Sequence, residues 1–130
     1  MVKDGIMASL VKRGAPFVLA GSIRDDGPMP EVISDSGEAQ DAMRALTRKA
    51  TTVIAMATQL HSIAVGNMTP SYRVMDNGTV RPVYFFVIDM SEFAANKLAD
   101  RGSLTARSIL TNAQDFVVNL HRKLIQRTCL

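Results

Sequence analysis

Four short polar clusters in this sequence combine side chains that bind anions or sugar hydroxyls, and each follows an apolar run. The first is Gly21 to Pro28, where Arg24, Asp25 and Asp26 sit between glycines. The second, Thr58-Gln59-Leu60-His61, sets a hydroxyl, an amide and an imidazole at the start of a helical pattern, whose first backbone N–H groups can receive an anion. The third is Asp89, closing the run Val83 to Ile88. A carboxylate at a strand end can accept both hydroxyls of a ribose, a common way of holding nicotinamide dinucleotides. The fourth is Thr111-Asn112-Ala113. Each also has a plainer use: a solvated turn for the first, a capped helix start with a packed His61 for the second, and caps through Asp89, Ser91 or Asn112 for the others.

The elements that must position these clusters are legible as alternating patterns. Pro16 to Ala20, Thr52 to Ala57, Val83 to Asp89 and Ala106 to Thr111 are short apolar runs without clean alternation, the pattern of strands covered on both faces. Between them lie helical spacings. Gly5 to Arg13 groups Ile6, Met7, Leu10 and Val11, and Gly14 stops it. Glu38 to Lys49 groups Ala42, Met43, Ala45 and Leu46; Leu60 to Asn67 is shorter. Ser91 caps Glu92 to Arg101, with Gly102 closing, and Asn112 opens Ala113 to Gln126 with Phe116, Val117, Leu120 and Leu124 on one side. The alternation of helix and strand predicts an open, mostly parallel α/β sheet of about four strands. Asp76, Asn77 and Gly78 between Val74 and Val80 predict an exposed loop or a short hairpin over Tyr72 to Arg81.

Composition removes several classes of function. With 130 residues, 47% hydrophobic and 21% charged, the chain has the size and apolar content of one globular domain. No apolar run approaches the roughly 20 residues needed to cross a bilayer, and no signal-peptide pattern follows Met1, so a cytoplasmic location is expected. The single cysteine, Cys129, can form no internal disulfide, and no cysteine or His-Glu spacing suits a metal. The net charge of +3 is skewed, with five basic side chains against one acidic over residues 101–130. Arg122, Lys123 and Arg127 fit the negative end of a helix, and with no Trp and two Tyr for stacking, nucleic acid is a poor partner. No glycine-rich phosphate loop, nucleophile elbow or Ser-His-Asp order occurs.

Gly14 to Pro28, Glu38 to Arg44, Leu60 to Met68 and Lys97 to Ser103 together resemble the LOR/SDH bifunctional-enzyme conserved-region family. That family includes archaeal-type ornithine cyclodeaminases and the C-terminal domain of arginine dihydrolase/ornithine cyclodeaminase enzymes, and the likeness runs from about Gly5 to Asn112. The resemblance implies a Rossmann-like, deoxyhypusine-synthase-like three-layer fold. It implies conversion of ornithine to proline and ammonia with NAD as a recycled cofactor. By position it gives cofactor contacts to Asp26, to Thr58, Gln59, Leu60 and His61 (Thr-Met-Leu-His in the family), to Asp89, and to Asn112 and Ala113 (Asp-Val in the family). It assigns no catalytic residue and no metal.

The resemblance also implies that residues 1–130 are one domain matching the C-terminal half of the family's NAD-binding domain, whose glycine-rich half lies upstream. The expected partners are ornithine and either further copies of the chain or a separately encoded upstream half. The alternative reading is a non-catalytic truncated homologue serving as a nucleotide-binding or assembly module. The two share one geometric expectation: Asp26, Thr58, His61, Asp89 and Asn112 meet at one edge of the sheet.

Overall fold

The computed structural model describes residues 3–21 and 31–128. By internal contacts the chain divides into two compact units, Met1–Met43 and Arg44–Leu130.

In the first unit, helix α1 (Ile6–Arg13) ends at Gly14, whose φ of 60° is the left-handed conformation that lets its N–H reach back to the carbonyls of the last turn. The run Pro16 to Ala20 does not form a strand. Its pairing is a single parallel bridge between Ala20 and Ile33, with Ile33 N–H donating to Leu19 O and Gly21 N–H to Ile33 O, each at 2.9 Å. An apolar run becomes a strand only where a partner runs beside it, and Pro16 has no N–H to donate. Helix α2 (Ser36–Thr47) starts two residues before the expected Glu38, because the Asp35 carboxylate accepts the Glu38 N–H at 2.9 Å and caps the first turn.

The second unit is built on a sheet of three parallel strands, not four: β1 (Thr52–Met56), β4 (Tyr84–Asp89) and β5 (Ala106–Leu110), with β4 in the centre. Helix α3 (Gln59–Met68) follows β1, α4 (Phe93–Asp100) follows β4, and α5 (Ala113–Thr128) follows β5. The segment between α3 and β4 is a separate antiparallel hairpin, β2 (Tyr72–Val74) and β3 (Val80–Pro82). At its turn Gly78 has φ of 77° and donates to Met75 O at 2.8 Å, a backbone shape that the Asp76-Asn77-Gly78 sequence accommodates.

Register sets the core. Val53 lies beside Phe85, Ala55 beside Val87, and Phe85 in turn beside Ala106, so these side chains share one face of the sheet. That face packs on Ala94, Ala95 and Leu98 of α4 and on Ile63 and Val65 of α3. Helices α3 and α4 also touch each other. Gly66 makes that approach possible: a Cβ there would lie 2.5 Å from Leu98 Cδ2. Ile88, on the opposite face, is fully buried, and α5 lies against β4.

Candidate functional site

Because all three strands of the sheet run the same way, their carboxyl ends open side by side, and helices α3, α4 and α5 begin there. Hydrogen bonds tie the three exit loops together. Ala57 N–H donates to Ile88 O at 3.1 Å, and Thr111 N–H donates to Asp89 O at 3.2 Å. Thr58, Asp89 and Asn112 therefore leave adjacent strands of one edge, and Gln59, Leu60 and His61 form the first turn of α3 beside them. Asp26 lies outside the described residues.

The residues at this edge are committed to different degrees. Asn112 Oδ1 accepts the Gln114 N–H at 2.8 Å, so its side chain caps α5. Asp89 Oδ1 accepts the Ser91 N–H at 3.2 Å, and Ser91 Oγ, one residue before the N-cap position held by Glu92, accepts the Phe93 N–H at 3.2 Å at the start of α4. One N–H leaves most of the acceptor capacity of the half-buried Asp89 carboxylate unused. Thr58 sits at the N-cap position of α3, yet its side chain makes no capping bond. The first amides of α3 are thus open to an acceptor from outside the helix.

Two further residues shape this edge without any signal in the sequence analysis. Ala57 has φ of 56°, a left-handed conformation that costs a non-glycine residue roughly 1–2 kcal/mol. It turns the chain sharply from β1 into α3. Ser62, fully buried, donates its hydroxyl to the Thr58 carbonyl and holds the start of the helix in place. Its spacing of four residues from Thr58 is the one feature that could have pointed to it. Leu60, Met90 and Leu110 are exposed around the same loops, so the edge offers apolar surface beside its polar groups. Ala113 is half-buried and His61 exposed.

The opposite, amino edge of the sheet receives the carboxyl ends of α3 and α4. A cavity of about 150 Å³ lies there, lined by Gly66, Asn67, Thr69, Ser71, Leu98, Arg101, Gly102 and Ser103. It is separate from the cluster that sequence spacing singled out. Among the described residues, no group of three or more His, Cys, Asp or Glu could hold a metal ion. Among them too, no helix is long and apolar enough to cross a membrane.

A parallel sheet whose strand exits meet helix N-termini, with an acid closing the central strand, defines a Rossmann-type architecture. The chain belongs to the family described as arginine dihydrolase ArgZ-like, C-terminal, Rossmann fold, whose model matches residues 1–120. It is 44% identical to the ornithine cyclodeaminase of Archaeoglobus fulgidus over 124 residues, covering 95% of this chain and 28% of that protein. The crystal structure of a conserved putative LOR/SDH protein from Methanococcus maripaludis S2 superposes with a TM-score of 0.82 at 40% identity, covering 99% of this chain and 35% of that one. The ternary complex of AgrE with ornithine and NAD+ superposes with a TM-score of 0.77 at 35% identity, covering 95% of this chain and 17% of AgrE. The chain thus spans between 17% and 35% of the length of these relatives.

Proposed function

We propose that this chain is the C-terminal half of an NAD-binding domain of the ornithine cyclodeaminase type, and that the carboxyl edge of its sheet takes the nucleoside part of NAD. The observation that carries this reading is the Asp89 carboxylate, half-buried at the end of the central strand and engaged, among the described residues, by one backbone N–H only. It lies next to the open first turn of α3.

The residues present suit the cofactor chemically. Asp89 would accept hydrogen bonds from ribose hydroxyls, charge-assisted contacts each worth roughly 1.5–3 kcal/mol. The N–H groups of Gln59 and Leu60, with the Thr58 hydroxyl, would donate to a negatively charged oxygen, helped by the positive end of the α3 dipole. Leu60 and Met90 would cover a flat ring and exclude water from it. His61, Asn112 and Ala113 would border the same space. Bound NAD would supply a hydride acceptor for ornithine and later return the hydride. Ser62 and Ser91 act through their neighbours, fixing Thr58 and the start of α4.

Calorimetric titration of NAD into the chain and into Asp89→Ala tests this. The expected affinity is weak, on the order of millimolar, because one half of a dinucleotide site makes only part of the contacts. Asp89→Ala is expected to lose at least tenfold of it with circular dichroism unchanged. Equal binding by both proteins would remove Asp89 from the site and the reading with it.

A further inference from the structure

The hairpin at the amino edge carries a pair of side chains that the cofactor edge does not use. Arg73 in β2 and Arg81 in β3 are directly opposed partners, so both side chains leave the same face of the hairpin. The rungs on either side fix the type of pair: Val83 N–H donates to Ser71 O at 2.9 Å and Met75 N–H to Thr79 O at 2.8 Å. Alternation then makes Arg73 and Arg81 a hydrogen-bonded pair, with Cα atoms about 5.5 Å apart. Like charges placed directly opposite are unfavourable in a sheet.

Neither arginine has an acidic partner among the described residues. The Arg73 guanidinium donates to the Lys49 carbonyl, which accounts for its position and brings the Arg48-Lys49 segment alongside. No bond accounts for Arg81, which is exposed. An exposed arginine that opposes a like charge and holds nothing among the described residues is free to take, together with that neighbour, a ligand that neutralises both charges. Two guanidinium forks on one face present N–H donors in the planar geometry that fits the oxygens of a phosphoryl or carboxylate group.

We propose that Arg73 and Arg81 form a binding site for a small, multiply charged oxyanion at the amino edge, separate from the NAD edge. The helix carboxyl ends at this edge repel anions, so the guanidinium groups supply the attraction. Phosphoryl compounds and di- or tricarboxylates share the required chemistry.

The test titrates the 130-residue chain with pyrophosphate and, separately, with citrate, at ionic strength held constant with sodium chloride. Binding is followed by 15N-resolved NMR shifts of the hairpin and by the thermal midpoint. At least one of the two is expected to saturate with shifts centred on residues 73–81, and whichever does identifies the source of the oxyanion. Arg81→Gln is expected to weaken that binding at least tenfold, while remaining at least as stable as the wild type without anion. Arg101→Gln, a cation at the same edge but outside the hairpin, is expected to leave it unchanged. Linear, non-saturating shifts with both probes overturn the proposal, as does equal weakening by Arg101→Gln. So does a lower thermal midpoint of Arg81→Gln in the absence of anion, which would show that Arg81 serves the fold. NAD binding at the other edge is unaffected by Arg81→Gln in every case, which keeps this test distinct from that of the cofactor site.

Discussion

The two ends of the three-stranded sheet meet the same helices in opposite senses. At the carboxyl edge α3, α4 and α5 begin, so backbone N–H groups and positive dipole ends converge, and the polar side chains there cap or brace those helices. At the amino edge α3 and α4 end, and the charged groups there include two opposed arginines carried by a hairpin inserted before β4. One edge attracts an anion through the backbone, the other can do so only through side chains. Attraction of the first kind follows from the fold whatever the side chains; the second depends on one or two residues.

The largest expected effect breaks both edges together. Leu98 is fully buried between α3, α4 and the sheet, and Leu98→Ala is expected to cost about 2–5 kcal/mol in chemical unfolding. Gly66→Ala drives a methyl into Leu98 and is expected to cost about 1–3 kcal/mol. Combined with Leu98→Ala it is expected to cost less than the sum, because the smaller side chain removes the clash. Strict additivity would mean that the α3–α4 contact is not what excludes a side chain at Gly66.

Smaller effects separate the edges. Asn112→Ala removes the cap of α5 and is expected to cost about 1 kcal/mol, read as a shift in denaturation midpoint with little change in slope. Ser91→Ala is expected to act likewise on α4. The smallest effect is expected at Ala57: glycine relieves the left-handed strain but adds freedom to the unfolded chain, leaving Ala57→Gly neutral or up to about 1 kcal/mol more stable. A clear loss of stability there would mean that the Ala57 methyl packs against something essential.

The strands and helices that carry the carboxyl edge could be read from the sequence because apolar runs and caps are local signals. Asn112 caps α5 as expected, whereas α4 starts one residue later than expected, with Glu92 at its N-cap position, and Ser91 reaches its first N–H from one residue further out. What could not be read depends on partners. Pro16 to Ala20 has the composition of a strand yet meets its neighbour at one bridge, and whether a strand extends is decided by what runs beside it. Ala57 gives no warning of a positive φ, because alanine is not a residue that favours one. The opposition of Arg73 and Arg81 appears only once the hairpin register is known: eight positions apart in sequence, they are unremarkable. The resemblance of Gly14 to Pro28 and Leu60 to Met68 gave the family directly, and the match over residues 1–120 agrees with it.

The contrast between the edges is tested most directly by a single 15N-resolved NMR titration of the chain with NAD at constant ionic strength. The expected result is a set of shifts confined to residues 57–61, 89–91 and 111–113, saturating together and absent in Asp89→Ala, with the hairpin resonances of residues 72–82 unmoved. Shifts centred on the hairpin, or none at the three strand exits at saturating NAD, would contradict the assignment of the carboxyl edge as the cofactor site.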